Sequence, residues 1–237
     1  VKATDINGNN IGVTDYNSYL RNRGSWTRQG DTHTAKITFS TDANYEFDIM
    51  YKDLALISAD DYPNDVFTVD QTAPTNVSVR YSSPILEKNI QGTTYEYYNE
   101  PIEVTIIAED EISGIYGFDY SYMRANGVSS VNAEKLANKI EPQKITYTNG
   151  RKTATATFVL PASELRNGTQ INGNMEYVAY NRSLITTEYN DSRRYVVDNL
   201  APNVTVEFND CVQKANNISY YAGNIDVTIT VDEANFF

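Results

Sequence analysis

Eight residues, FTVDQTAP at 67–74, return almost letter for letter as YVVDNLAP at 195–202. A chain that repeats itself at such range folds as a series of like units, because each copy needs the same partners to bury the same side chains. The repetition extends well beyond the eight-mers. TNVSVRY after Pro74 answers NVTVEF after Pro202, and YYNEPIEVTIIAED (97–110) answers YYAGNIDVTITVDE (220–233). Upstream, TAKITF (34–39) matches TATATF (153–158), and YEFDIMY (45–51) matches MEYVAY (175–180) with one residue dropped. Asp70 and Asp198 are 128 residues apart, whereas Tyr98 and Tyr221 are 123 apart, so the second copy has a shorter loop. Between the upstream blocks the spacing grows from 119 to 130, with LPASELRNG lengthening the later loop.

The order of blocks divides the chain. Residues 1–70 carry the latter part of a unit, 71–198 one complete unit with an insertion near 122–144, and 199–237 the opening strands of a further unit. Every matched block alternates apolar and polar residues. Val77, Val79 and Tyr81 share a face, as do Val204, Val206 and Phe208, and period two is the mark of a strand. Seven strands are expected in the complete unit, near 75–81, 102–109, 115–123, 144–149, 152–160, 174–181 and 193–198. The turn signals NEP, SG, TNG, RNG and NDS separate them. The segment SVNAEKLANKI (130–140) breaks the alternation. Val131, Leu136 and Ile140 fall at loosely helical spacing, so a short helix or ordered loop capping one end is expected there. The fold class that follows is all-β, built of tandem sandwiches, one complete in the middle and partial ones at both ends. Nineteen tyrosines and abundant Thr, Val and Ile agree with strands.

A net charge of −12 argues against a partner that is nucleic acid or an anionic membrane, since both need a cationic face. No apolar run approaches the roughly 20 residues of a membrane helix. The opening VKATDINGNN is polar, without the apolar core of a signal peptide, so the chain is expected to be an excised or processed stretch of something longer. Cys211 is the one cysteine and cannot form an internal disulfide.

The pattern of an aromatic, then V-D-x-x-A-P, a strand, YY and VTI, and finally D-x-x-S-G (Asp110, Ser113, Gly114) resembles the tandem bacterial immunoglobulin-like domains of Gram-positive surface proteins. GSWTRQGDTHTAKITFSTDANYEFDIMYKDLA (24–55) is similar to a run those domains carry. The second copy departs from it, with Asn181 and Arg182 where the first has Lys52 and Asp53. The Cys…Trp…Cys signature of animal immunoglobulin domains is absent, and Trp26 is the only tryptophan. The resemblance implies an extracellular protein, secreted or on the bacterial cell surface. It also implies a non-catalytic role as a stalk or adhesin module. Pro74 and Pro202 each fix φ and extend the preceding residue, so one unit runs into the next with little slack.

No constellation for catalysis stands out, and no catalytic site residue is assigned. His33, the lone histidine, alternates with Ala35 and Ile37 and reads as a residue on the polar face of a strand. No G-x-S-x-G elbow is present. No cofactor is expected. The alternative is calcium at the joints, where Asp70, Asp198, Asp110, Glu111, Asp232 and Glu233 supply oxygens; cadherin joints carry a similar D-x-A-P. The competing reading is that Asp70 and Asp198 bond backbone N–H groups of the turn. Tyr95 and Tyr97 share one face of TTYEYYNEP (93–101) and Tyr98 takes the other, which suits either packing or stacking on a sugar. The insertion is the better place for a unit-specific ligand. Sequons begin at Asn76, Asn167, Asn181, Asn190, Asn203 and Asn217, and composition accounts for them.

The leading expectation is therefore a semi-rigid stalk or adhesive module that meets a glycan or protein ligand. The alternative is a carbohydrate-binding accessory module of a secreted glycoside hydrolase. Neighbouring units of the same parent chain are expected partners. Strand exchange between chains, with 199–237 of one molecule completing 1–70 of another, is a further reading beside that of a trimmed parent.

Overall fold

Alternation decides where each core lies. The computed structural model describes residues 1–126, 134–160, 169–171, 175–198 and 201–233. Residues 1–70 contain β1 (Lys2–Thr4), a short helix α1 (Tyr16–Arg21), a hairpin of β2 (Trp26–Gln29) and β3 (Thr32–Ala35), then β4 (Ala43–Phe47) and β5 (Asp65–Val69). Strands β1, β4 and β5 form one antiparallel sheet, while β2 and β3 pair only with each other among the described residues. A small core gathers Ala3, Tyr16, Ala43 and Tyr45, against which Ile37, Phe39, Phe67 and Val69 pack. Phe39 is its hub, with ring centroids 4.6 Å from Tyr16, 4.9 Å from Tyr45 and 5.0 Å from Phe67. Tilted and edge-on ring pairs of this kind add to what area burial alone supplies.

The next stretch builds a two-layer sandwich. Its strands are β6 (Thr75–Tyr81), β7 (Leu86–Ile90), β8 (Thr93–Tyr98), β9 (Glu103–Glu109), β10 (Ile115–Asn126), β11 (Glu134–Lys139), β12 (Ile145–Thr148), β13 (Thr153–Val159), β14 (Thr169–Ile171), β15 (Met175–Asn181), β16 (Thr186–Asp191) and β17 (Arg194–Val197). One sheet runs β12-β13-β9-β6; the other runs β16-β15-β10-β14-β17-β8-β7, with β11 also on β10. Val104, Ile106 and Ala108 of β9 and Ala154, Ala156 and Phe158 of β13 face Phe118 and Tyr122 of β10, Met175, Tyr177 and Ala179 of β15, and Tyr195 and Val197 of β17. Every other residue points inward, as the pleat demands. Small alanines on β13 leave room for the tyrosines opposite.

The seven strands expected in this stretch are all present. Sequence reasoning missed β7, β8, β14 and β16, and it misjudged the insertion. Residues 134–139 are not helical: they form β11, paired antiparallel with β10 from Asp119↔Lys139 to Arg124↔Glu134. The reason lies in the two edges of β10: β15 and then β14 pair along one, and β11 pairs along the other, satisfying N–H and C=O groups there that would otherwise lack a strand neighbour. Leu136 packs on the core from β11, and Ile140 is buried just after it. Val131, and the loop LPASELRNG beyond Leu160 with its RNG turn, lie outside the described residues.

Residues 201–233 form two small antiparallel pairs, β18 (Asn203–Phe208) with β21 (Val227–Asp232), and β19 (Gln213–Ala215) with β20 (Ile218–Tyr220). The tight hairpins use left-handed backbone at both turn residues, Gln91–Gly92 between β7 and β8 and Asn216–Asn217 between β19 and β20. That geometry matches the twist of the flanking strands.

The hydroxyls of Tyr81 and Tyr177 lie in the sandwich core, and neither has a well-formed hydrogen bond among the described residues. Burial pushes both phenols far above the ordinary tyrosine range, so both are neutral in solution. Tyr177→Phe is therefore expected to leave stability unchanged or to raise it by about 1 kcal/mol, because it removes a polar group that burial penalises. Phe118→Ala, which empties the same core, is expected to lose about 3–5 kcal/mol. Urea unfolding of the two variants side by side reads the contrast.

Candidate functional site

Three chain segments meet where β5 hands over to β6. Asp70 follows β5, Asp110 follows β9, and Asn181 ends β15; all three are buried. The Asp70 carboxylate first organises its own turn, accepting the Thr72 N–H at 3.1 Å and the Thr72 hydroxyl at 3.0 Å on Oδ1. Such an aspartate turn is what D-x-x-A-P favours locally. Its Oδ2 reaches across to the loop after β9 and accepts from Ser113 N–H at 3.2 Å and Ser113 Oγ at 2.5 Å.

Asp110 shapes that loop. Its Oδ1 accepts the N–H groups of Ile112 at 3.2 Å and Gly114 at 2.7 Å. Gly114 takes φ +79°, and a Cβ there would lie 2.7 Å from Ile6 Cδ1 and 3.0 Å from the Arg151 carbonyl oxygen. The glycine of D-x-x-S-G thus serves both the turn and the close approach of residues 1–70.

Asn181 joins the two carboxylates. The two N–H protons of its side-chain Nδ2 are shared among three acceptors, Asp70 Oδ2 at 3.0 Å, Asp110 Oδ2 at 3.1 Å and the Thr72 carbonyl at 2.9 Å. Its Oδ1 accepts the Ile185 N–H at 2.9 Å, closing the turn into β16. Further bonds cross the same joint. The Ile6 N–H donates to Glu111 O at 3.0 Å, and Asn44 Nδ2 to Ile112 O at 2.9 Å. On the sandwich side of the joint, Thr187 Oγ1 donates to Pro74 O at 2.6 Å, and Lys152 pairs with Glu111 at 2.5 Å. Amides and hydroxyls, rather than a basic side chain, surround Asp70 and Asp110 directly.

A second cluster lies on the large sheet, where β8, the end of β16 and the start of β17 meet. Arg193 donates to Glu96 Oε1 at 2.7 Å through Nη1 and to Asp191 Oδ2 at 2.7 Å through Nη2. Tyr195 OH donates to Asp191 and Tyr98 OH to Glu96, each at 2.8 Å. Burial works to raise the Asp191 pKa, but the hydrogen bonds from Arg193 and Tyr195 outweigh it and hold the carboxyl below its ordinary value. This cluster fastens β17 and the turn before it to β8.

Of the acids singled out in the sequence, Asp70 and Asp110 come together and Glu111 lies beside them through Lys152. Asp198 lies at the opposite pole, its N–H on Tyr98 O at 2.8 Å. Asp232 is exposed at the end of β21, opposite Asn203. His33 is exposed on β3, opposite Arg28. Tyr95 and Tyr97 share the half-exposed face of β8, while Glu96 and Tyr98 face inward. Asn181 was noticed only as a sequon and as a departure from the first copy. Its interior amide accounts for that departure. Glu96 was missed, although a charged residue in phase with buried Tyr98 signals the need for a partner such as Arg193.

No protein-family model matches the chain, and a comparison with curated proteins finds no match.

Asn181→Asp replaces the shared donor with a third carboxylate between two others. It is expected to cost about 3–5 kcal/mol at neutral pH, the scale of an uncompensated buried charge. Asn181→Ala should cost only about 1–3 kcal/mol. Urea midpoints give the order. Arg193→Met strands Glu96 and Asp191 and is expected to cost about 2–4 kcal/mol at pH 7, less than for a fully buried pair because Arg193 is partly exposed. Since the folded-state pKa of Asp191 is depressed, its contribution is present above the unfolded value and disappears as pH falls through the folded one. The gap between Arg193→Met and wild type should therefore narrow below about pH 4.

Proposed function

We propose that the chain is a non-catalytic segment of an extracellular bacterial surface protein, made of tandem immunoglobulin-like units 1–70, 71–198 and 199–237. It acts as a semi-rigid stalk or adhesive module. The observation that carries this reading is the joint itself. Asp70, which ends one unit, is bonded to Ser113 and Asn181 of the next, and the Asn44 side-chain amide and the Ile6 N–H donate to backbone carbonyls across the same boundary. A linker of so few residues, closed by hydrogen bonds of low exposure, suits a spacer that holds its neighbours in fixed register. In this reading the joint needs no metal, because donors from Thr72, Ser113 and Asn181 fill the acceptor sites of Asp70.

A second reading, a carbohydrate-binding accessory module, has one observation in its favour. An open groove of about 710 Å³ lies at the pole away from the Asp70 joint, lined by Tyr98, Asn99, Glu100, Pro101 and Glu103 among others. The amide of Asn99 and the carboxylates of Glu100 and Glu103 are groups that can hydrogen-bond sugar hydroxyls.

Spin labels placed at Asp48 and Glu188 in a Cys211→Ser background measure the joint. The expected result is a single narrow distance distribution that calcium and EGTA leave unchanged and that at least doubles in width in Asp70→Ala/Asn181→Ala. A wild-type distribution as broad as the variant's defeats the stalk reading. Narrowing by calcium instead supports a cation at the joint. Saturable glycan-array binding lost on Glu100→Ala would move the assignment to the second reading.

A further inference from the structure

The ladder between β10 and β15 is irregular at one end. Ile115 pairs with Asn181 and Gly117 with Tyr180, so Tyr116 is an extra residue without a place in the register. A bulge of this kind re-aims a side chain, and such bulges gather beside functional sites. Tyr116 is turned outward and is 55% exposed. At Gly117 a Cβ would lie 2.8 Å from the Tyr180 hydroxyl oxygen and 2.9 Å from its Cζ. Glycine is what lets the Tyr180 ring lie down across β10. The rings of Tyr116 and Tyr180 then stand 5.7 Å apart between centroids, inclined at 46°.

Further observations fall on the same spot. The Tyr147 hydroxyl donates to the Tyr116 carbonyl at 2.8 Å, which holds the bulge in place. The Arg151 guanidinium lies 3.6 Å from the centre of the Tyr147 ring, so that ring already has a partner on its face. Phe118 turns into the core, and Asp119 beyond it turns to the same outer side as Gly117. The Asp119 Oδ1 is buried and has no hydrogen bond among the described residues. A buried carboxylate oxygen short of a donor is costly to keep and calls for an explanation. Burial, and then the Asp119 carboxylate nearby, raise the Tyr180 phenol above the ordinary tyrosine range, so Tyr180 keeps its hydroxyl proton.

We propose that the shelf made by Tyr116 and Tyr180 binds a neutral pyranose ring of a glycan. The C–H face of the sugar stacks on the tyrosine rings, and its rim of hydroxyls meets the carboxylate of Asp119 and the phenol of Tyr116. Size selects this occupant. In the ladders Asp119 stands opposite Lys139, Tyr180 opposite Thr186, and Val178 opposite Glu188. Polar residues thus hem the rings in, and the apolar area between them suits one sugar ring rather than a protein interface. Charge selects it too. Asp119 and Glu188 stand beside Lys139 and Arg151, so neither sign prevails and an ionic ligand gains nothing.

The shelf is a different surface from the groove of the carbohydrate-module reading. Tyr180 adjoins Asn181 at the Asp70 end of the sandwich, whereas the groove with Glu100 lies at the other pole. The inference rests on the bulge, on Gly117 and on Asp119, and not on the stalk reading, so a loose joint leaves it standing.

Backbone amide NMR shifts of the full chain test the proposal. The probes are cellohexaose, laminarihexaose and mannohexaose as neutral glycans, and tetramethylammonium chloride as a cation that aromatic rings also take. The expected result is a saturable shift with at least one of the glycans, centred on Gly117, Asp119 and Tyr180. Tyr116→Leu keeps an exposed apolar side chain but loses the ring, and it should weaken that binding roughly tenfold. Gly117→Ala should weaken it as well by lifting the Tyr180 ring, and Glu100→Ala should leave it unchanged. Because Tyr116 lies outside the core, Tyr116→Leu keeps the test decisive even where Gly117→Ala fails to fold. No saturable shift with any of the glycans overturns the proposal. So do shifts that gather at Asn99 and Glu100, saturable binding of tetramethylammonium alone, or undiminished glycan binding by Tyr116→Leu.

Discussion

One side-chain amide holds the joint of this molecule together. Asn181 lies between two interior carboxylates that would otherwise face each other, and it satisfies both while also holding the carbonyl of Thr72. Because each partner belongs to a different segment, the amide sets where β5 stops, how the loop after β9 turns, and where β15 ends. The short path from Asp70 to Thr75 works only with those three ends in place. Ser113 and Gly114 extend the arrangement, the first by bonding Asp70 and the second by letting Ile6 come close.

The molecule handles interior charge in two different ways. At the joint, neutral donors surround Asp70 and Asp110, and geometry carries the specificity. Where β8, β16 and β17 meet, a guanidinium forks between Glu96 and Asp191, and tyrosine hydroxyls complete the shell. The second solution relies on formal charge and is sensitive to acid; the first relies on fixed dipoles. Both occur where a strand of the large sheet must be tied to something beyond its own ladder. Tyrosine suits such places, since its ring fills the core while its hydroxyl reaches a polar group at the margin.

Much of the layering was legible in the sequence because alternation is a local signal and the repeat doubled it. The strands at 75–81, 153–159 and 175–181 could be read from Val, Ala, Phe and Tyr in strict phase. What escaped notice was set by neighbours far along the chain. SVNAEKLANKI (130–140) has loosely helical spacing at Val131, Leu136 and Ile140, yet residues 134–139 became a strand because β10 offered them an unsatisfied edge. Leu86–Ile90 carries little apolar content, and only its hairpin with β8 makes it a strand. The joint was half visible. Asp70, Asp110, Ser113 and Gly114 stood out by motif, but the role of Asn181 depends on its meeting Asp70 across 111 residues of chain. No spacing rule covers such a distance.

The strand order also has a mechanical consequence. The chain enters through β6 at one pole and leaves through β17 at the other, and β17 lies parallel to β8 while β6 lies antiparallel to β9. A tensile force applied at the two poles runs along these strands, so their ladders are sheared and must yield together instead of unzipping rung by rung. Resistance to pulling would then depend on the rate of that collective rupture rather than on equilibrium stability.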